Sequence, residues 1–215
     1  FLSSYSSEIV ISTARFANVA FSDGSLLAGF DNRIKKSQPI AAPNDVKRYF
    51  LTSQESGELC LLSCLLGKSN EIFFPKLNEE LNLITFSEIA SRYLTSIGYQ
   101  PLICSSEKEA RSNISKNISK KHWPCYFSES NTTGEKSYEE FYEDNDEIDL
   151  DSFKGVGIVR NINIVKPSML SDFKNKIDLL KSNIKYDKIE LVKIFNEMLP
   201  DFEHEEKGFY LDGKM

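Results

Sequence analysis

The sequence predicts an α/β fold from three observations. Short apolar runs typical of covered strands alternate with stretches whose apolar residues recur at helical spacing. Two threonine-to-glutamate capping boxes mark helix starts in the first half of the chain. Loops that contain glycine, proline and asparagine separate these segments. With 215 residues, of which 40% are hydrophobic, the chain is long enough to form one or two domains with a buried core.

The first predicted strand is the apolar run from Ile9 to Ile11, which leads into a polar, glycine-containing turn over residues 22–25. Because α/β sheets bind ligands at the carboxyl ends of their strands, this turn is a candidate ligand site. An ordinary strand-to-helix connection is the alternative. An amphipathic helix that begins at Ser25 would place free backbone N–H groups beside the turn.

Caps, stops and apolar runs predict the remaining elements. In order, they are a strand over 46–52, a buried helix from Thr52 to Gly67, a strand over 70–77 that ends at Pro75, a helix from Thr85 to Gly98, a strand over 101–104, a polar helix from Ser106, strands over 125–127 and 157–159, and two helices beyond Pro167, the second capped by Asp187.

Composition narrows the class of partner. The net charge of -6 and the pI near 5.1 argue against a nucleic acid or an anionic membrane surface. No apolar run approaches the roughly 20 residues that cross a bilayer, and no secretion signal is evident, so we expect a soluble cytoplasmic protein.

Cysteine and acidic residues do not form a recognisable metal motif. Cys60 and Cys64 are four residues apart, but no second cysteine pair completes a zinc site, so we expect buried free thiols. The acidic connection over residues 128–152 lacks the spacing of a calcium loop and is predicted to be solvated. We therefore expect no metal.

Several ordered motifs together resemble one family. The motifs TARFANVAFSDGSLLAGF, IKKSQPI, DVKRYFLT, ESGELCLLS and EIFFPKL, which span roughly residues 8 to 100, resemble the second half of the nucleotide-sugar 4,6-dehydratases of the extended short-chain dehydrogenase/reductase superfamily. The nearest relatives would be bacterial enzymes that act on UDP- or GDP-linked N-acetylglucosamine in capsule, O-antigen and flagellin-glycan synthesis, including legionaminic acid routes. The segment WPCYFSESNTTGEKSYEEFY and the ending YLDGKM resemble the C-terminal extension of one branch.

The resemblance implies an α/β fold that is the C-terminal part of the NAD(P)-binding Rossmann-type architecture, without the N-terminal dinucleotide-binding half and with an α+β C-terminal extension. Residues 1–104 would form the substrate-binding half and residues 105–215 the extension. The resemblance also implies substrate contacts, with a surface or helix-cap role as the alternative for each. These are Asn18 on a sugar or diphosphate oxygen, the loop Ser22, Asp23, Gly24 and Ser25 closing over the nucleotide, Leu26 and Phe30 against the base, Arg48 on the diphosphate, and Lys76 as a second basic group.

The superfamily's catalytic Tyr-x-x-x-Lys and Gly-rich loop would lie upstream of Phe1. We therefore expect a fragment that begins in mid-fold, with residues 1–8 as the last turn of a helix, no catalytic residue in this chain, and NAD(P) bound mainly by the missing half. The spacing of Tyr210 and Lys214 matches Tyr-x-x-x-Lys, but the intervening Asp212-Gly213 is a poor helix context, so we attribute it to chance. In the complete enzyme, NAD would take hydride from C4 of the sugar, the C5 proton and the C6 hydroxyl would leave as water, and the hydride would return to C6.

The expected partner is a nucleotide-diphospho-sugar, and the complete enzyme is expected to be a homo-oligomer, a dimer or higher. Two other functions stay open. An epimerase or reductase of the same superfamily would share this half, because the deciding acid/base residues lie elsewhere. A non-catalytic nucleotide-binding module is the alternative from a different class.

Overall fold

The computed structural model describes residues 9–76, 83–134, 139–160, 165–183, 187–199, 202 and 204–208. The helix turn expected over residues 1–8, the ending YLDGKM and the Tyr210–Lys214 spacing lie outside these ranges. The strands are β1 (Ser12–Ala14), β2 (Asn18–Val19), β3 (Ile40–Pro43), β4 (Lys47–Arg48), β5 (Phe50–Leu51), β6 (Glu71–Pro75), β7 (Ile84–Thr85), β8 (Gln100–Cys104), β9 (His122–Ser128), β10 (Glu147–Asp149) and β11 (Val156–Arg160). The helices are α1 (Leu26–Lys35), α2 (Ser53–Leu66), α3 (Phe86–Ser96), α4 (Glu107–Asn117), α5 (Pro167–Ser182) and α6 (Lys188–Met198).

The described residues form an α/β structure with parallel strand pairs, which confirms the predicted class and is consistent with a Rossmann-like fold. A four-stranded sheet has the order β1-β6-β11-β10, in which β1 runs parallel to β6 and β11 runs antiparallel to both of its neighbours. All five residues of β6 are buried, as expected for a strand with neighbours on both sides. A three-stranded parallel sheet has the order β3-β9-β8.

The larger core cluster lies between the three-stranded sheet and helices α1 and α3. Phe30 of α1, Leu94 of α3 and Trp123 of β9 are almost completely buried in it. The indole Nε1 of Trp123 donates to the carbonyl of Gln38 at 3.0 Å, which satisfies its polar atom. Both sheets contain strands from both sides of the predicted division between residues 104 and 105, because β9 pairs with β3 and β11 pairs with β6.

Two short strand pairs bring distant segments together. β2 pairs in parallel with β5, opposing Asn18 to Phe50, and β4 pairs antiparallel with β7. The single strand predicted over residues 46–52 is therefore wrong. The segment is divided at Tyr49 because its two parts pair with different partners, and this division places Arg48 near Asn18.

Local capping signals set the helix starts, as predicted. The Ser25 hydroxyl accepts a hydrogen bond from the Ala28 N–H. Thr52 and Glu55 form a reciprocal capping box at α2. At α3 the Thr85 hydroxyl accepts from the Glu88 N–H, but the Glu88 carboxylate pairs with Arg92, so the second predicted box is only half formed. These bonds satisfy N–H groups that a helix cannot pair internally.

Two burial predictions are wrong. Ile9 and Val10 are exposed, and the first strand is displaced to Ser12–Ala14, where it pairs with β6. Helix α2 was expected to be buried, but it presents Leu61 and Leu65 to the surface together with Cys60 and Cys64, whereas Cys104 and Cys125 are buried. Only the α2 side chains that face β1 and β6 are covered, which leaves the rest of this apolar helix exposed.

The acidic connection is not a solvated loop throughout, which corrects a further prediction. It contains β10, whose Asp149 forms an ion pair with Arg160 of β11. Arg160 also pairs with Glu71, a carboxylate that is 6% exposed in β6. Arg160 therefore compensates a buried negative charge at the start of the inner strand β6.

Within the described ranges, no helix combines the length and hydropathy needed to cross a bilayer. The same ranges hold no group of three histidine, cysteine or acidic side chains placed to ligate a metal.

Candidate functional site

A cavity of about 680 Å³ opens beside the N-terminus of α1, and we call it the α1 cavity. Gly24 and Ser25 line it at the helix start, and Pro43 and Ser128 line it where β3 and β9 end. It therefore lies at the carboxyl ends of two neighbouring parallel strands, the usual position of a ligand site in an α/β sheet. Of the predicted site residues, Gly24, Ser25, Leu26 and Phe30 line this cavity.

The turn that precedes α1 shapes one edge of the α1 cavity. Gly24 has φ of +74°, a left-handed conformation that favours glycine, and the Ser25 N–H donates to the Ser22 carbonyl at 3.0 Å. The Ser22 hydroxyl donates to the Val19 carbonyl at 2.9 Å. Ser22 and Asp23 are exposed in this turn. The turn places the positive end of α1 at this edge of the cavity, where it favours an anionic group, whereas Glu107 and Glu129 elsewhere in the lining oppose one.

The apolar side chains that line the α1 cavity differ from the predicted pair, Leu26 and Phe30, that would contact the base. Leu26 is half-buried, whereas Phe30 is 2% exposed and belongs to the core. Phe86 of α3 adds an aromatic ring that was not among the predicted site residues. Phe30 thus supports the wall from behind, while Leu26 and Phe86 are the more accessible apolar groups.

Asn18 and Arg48 meet at a carboxylate outside the α1 cavity. The Asn18 Nδ2 donates to Glu139 Oε1 at 2.8 Å, and the Arg48 Nε lies 3.9 Å from the same oxygen. Asn18 Nδ2 also lies 3.4 Å from the Tyr49 carbonyl. One oxygen atom therefore accepts a hydrogen bond from Asn18 and lies within ion-pair distance of Arg48, which comes from a different strand.

The guanidinium of Arg48 is held in a defined position. Its Nη1 donates to the Lys47 carbonyl at 2.8 Å, and its Cζ lies 5.7 Å from the centre of the Phe86 ring. The side chain is 13% exposed. Because Phe86 also lines the α1 cavity, Arg48 lies one side chain away from that cavity.

Glu139 is poorly solvated for a charged group. Burial raises the pKa of its carboxyl group, and Arg48, the Tyr49 backbone and Asn18 act in the opposite direction. Its Oε2 is buried and accepts no hydrogen bond from any residue that the structure describes. The negative charge of the Glu139 carboxylate is thus only partly compensated by its neighbours.

Lys76 lies at a second cavity of about 760 Å³, which we call the β6 cavity because Phe74, Pro75 and Lys76 line it. The Lys76 ammonium donates to the carbonyls of Leu150 and Phe153, the latter at 2.5 Å. Four carboxylates also line this cavity, those of Asp45, Glu139, Glu140 and Asp144. The structure therefore does not bring Lys76 to the α1 cavity, and it commits the ammonium group to loop carbonyls.

Sequence reasoning missed Glu139 and the role of Phe86. Glu139 is one of many acidic residues between 135 and 152, and nothing local distinguishes it from its neighbours. Phe86 was predicted only as part of a helix face. The strand pairing of β4 with β7, which precedes Phe86 directly, is what brings its ring to Arg48.

Comparison with known proteins finds the following similarities, among others. The model of a family described as polysaccharide biosynthesis protein matches residues 2–161. A protein of Methanocaldococcus jannaschii described as an uncharacterized membrane protein is 34% identical over 95 residues, which are 42% of this chain and 27% of that protein. The X-ray structure of Pen from Bacillus thuringiensis has 21% sequence identity and a TM-score of 0.51, and the match covers 74% of this chain and 42% of that one. This chain thus corresponds to less than half of either relative, and the structural similarity concerns the fold.

Proposed function

Since the chain belongs to the polysaccharide biosynthesis protein family, we propose that it is the substrate-binding part of an NAD-dependent nucleotide-sugar 4,6-dehydratase. Its substrate would be nucleotide-linked N-acetylglucosamine, and the product of the complete enzyme would be the 4-keto-6-deoxy sugar used in surface polysaccharide or glycan synthesis. The role of this chain would be to bind the nucleoside diphosphate and to hold the sugar in position against groups elsewhere in the enzyme.

The observation that carries this proposal is the convergence of Asn18 and Arg48 on one anionic oxygen. The two residues are thirty positions apart and belong to different strand pairs, yet both side chains approach Glu139 Oε1. An amide N–H and a guanidinium directed at one negative oxygen form a donor pair suited to a diphosphate.

The α1 cavity supplies the complementary part of a nucleotide site. Its volume of about 680 Å³ falls in the range of roughly 300–1,000 Å³ found for small-molecule pockets. Leu26 and Phe86 provide an apolar wall for a base or ribose, and the helix start at Ser25 favours a phosphate. The contact of Phe86 with Arg48 connects this wall to the diphosphate-binding pair.

The turn from β2 into α1 does not fit the pyrophosphate of a dinucleotide cofactor. The turn from β2 into α1 contains the single glycine Gly24, and the Ser25 hydroxyl already caps the helix start. A dinucleotide pyrophosphate needs several glycines for close backbone approach at such a turn. We therefore assign no step of hydride transfer to this chain and propose that NAD(P) is held by another part of the complete enzyme.

Calorimetric titration of the chain with UDP-N-acetylglucosamine and, separately, with its GDP counterpart tests the proposal. We expect binding of one nucleotide sugar and a loss of about tenfold or more in affinity for Arg48→Ala, because a hydrogen bond to a charged group contributes about 1.5–3 kcal/mol. Arg92→Ala is the matched control, since Arg92 is exposed on α3 and pairs only with Glu88 among the described residues. A folded chain that binds neither compound, or Arg48→Ala binding as well as Arg92→Ala, would contradict the proposal.

A further inference from the structure

We propose that the Glu139 carboxylate occupies the position of the substrate's diphosphate in the unliganded protein and is displaced when the nucleotide sugar binds. This inference rests on the proposed function, because it assigns Asn18 and Arg48 to the diphosphate. It adds a residue, Glu139, that tunes the affinity of the site by competing for the same two donors.

The geometry excludes simultaneous occupation. Glu139 Oε1 accepts the Asn18 amide at 2.8 Å and lies 3.9 Å from the Arg48 Nε. A phosphate oxygen bound to both donors would need the same space. The two negative charges would also repel each other at that separation in a partly buried setting. The carboxylate must leave for the diphosphate to bind.

Glu139 is held less firmly than the carboxylates that pair with Arg160, although Asn18 and the Tyr49 backbone both stabilise its charged form. Its Oε2 has no hydrogen-bond donor among the described residues, and burial raises the pKa of its carboxyl group. The Arg160 pairs provide a contrast, because that guanidinium donates directly to both Glu71 and Asp149. The Arg48 guanidinium has no such direct hydrogen bond to Glu139 and lies only within ion-pair distance. The comparison indicates that the Glu139 contact is the less stable one.

The structure also provides room for the displaced side chain. Glu139 lines the β6 cavity of about 760 Å³ and is 27% exposed. Two residues further on, Phe141 is anchored, since its carbonyl accepts from Arg15 Nη1 at 2.5 Å and its ring stacks on Phe74 with centroids 6.1 Å apart. The displacement is therefore a rotation of the Glu139 side chain and not a release of the whole segment.

The other charged groups at this cavity make it unsuitable for the diphosphate. Carboxylates of Asp45, Glu140 and Asp144 line it with Glu139, against the ammonium groups of Lys47 and Lys76. Lys76 is already bound to two loop carbonyls. Because the cavity is acidic on balance, the diphosphate itself is disfavoured there, and Arg48 remains its best partner.

Titration of Glu139→Gln with UDP-N-acetylglucosamine, and in parallel with the GDP counterpart, tests the inference. Glutamine keeps the size of the side chain and removes the competing charge, so we expect affinity to rise by about tenfold. Asp144→Asn is the matched control, because Asp144 is an exposed carboxylate that lines the same cavity, and we expect the affinity of this variant to equal that of the wild type. Circular dichroism spectra of all variants verify that each is folded.

The outcomes separate the two proposals. If the wild type binds and Arg48→Ala weakens binding, but Glu139→Gln binds no more tightly than Asp144→Asn, the displacement of Glu139 is wrong while the substrate site stands. If Arg48→Ala abolishes the gain that Glu139→Gln produces, competition for Arg48 is supported. If no folded variant binds either nucleotide sugar, both proposals are wrong.

Discussion

Replacing Gly157 with alanine is expected to destabilise the four-stranded sheet. Gly157 lies in β11 directly opposite Phe74 of β6. A Cβ atom added at Gly157 would lie 2.3 Å from the Phe74 Cζ and 2.7 Å from its Cε2. Carbon atoms in contact are normally about 3.5–4.0 Å apart, so the ring would have to move by more than an ångström.

The surroundings of Phe74 prevent that movement. Phe74 is 2% exposed, and its ring lies between Phe141 at 6.1 Å and Tyr142 at 5.2 Å between centroids. Overpacking of this kind costs about 1–3 kcal/mol of the free energy of unfolding. With a urea dependence of about 2 kcal/mol per molar, the midpoint of unfolding should fall by roughly 0.5–1.5 M.

Urea unfolding monitored by tryptophan fluorescence measures the effect, because Trp123 is the only tryptophan and is 2% exposed. Gly155→Ala is the matched control, since a Cβ there meets no atom within 4 Å. Phe74→Leu removes the ring, so Gly157→Ala on that background should cost less than it does alone. Equal midpoints for Gly157→Ala and Gly155→Ala would refute the packing account.

Three further predictions concern a cap, an ion pair and the thiols. Thr52→Ala removes the capping box of α2 and should lower the free energy of unfolding by about 1 kcal/mol, measured as a lower thermal midpoint than that of Thr95→Ala at an exposed position of α3. The Ser152 hydroxyl and then Arg160 lower the pKa of Asp149, so its stabilising effect is complete above the ordinary pKa of about 3.9 and is lost as the pH falls below it. The difference in thermal midpoint between wild type and Asp149→Asn should therefore shrink in acid, and a constant difference would exclude this account. A thiol reagent should label the two α2 cysteines in the native protein and all four cysteines in denaturant, whereas rapid native labelling of all four would contradict the burial of the other two.

Helix starts could be predicted because each depends on a few adjacent residues. The Thr52–Glu55 and Thr85–Glu88 pairs each span four positions and are sufficient to predict a helix start. In the structure both helices begin directly after the threonine of the pair. The strand over residues 46–52 could not be resolved in the same way, since its division at Tyr49 depends on pairing with residues far along the chain.

The candidate site was predicted in part for the same reason. The turn and helix start over residues 22–25 are local features, and the structure places Gly24 and Ser25 at the edge of a cavity. Glu139 could not be found, because its significance arises from contact with Asn18, 121 positions away. Burial of α2 was misjudged because an apolar sequence shows a tendency to be covered, but it does not show how much neighbouring surface is present.

The central position of β9 has a consequence for how the chain folds during synthesis. Within the described residues, β3 and β8 each pair with β9 and not with each other. The parallel sheet therefore cannot form until residues 122–128 have left the ribosome. Until then, the apolar face of α1 and the side chain of Ile40 remain uncovered, because Trp123 of β9, which packs in the same core, is not yet in place. Long-range closure of this kind is slow and leaves hydrophobic surface exposed in the meantime, which favours aggregation of the partly synthesised chain.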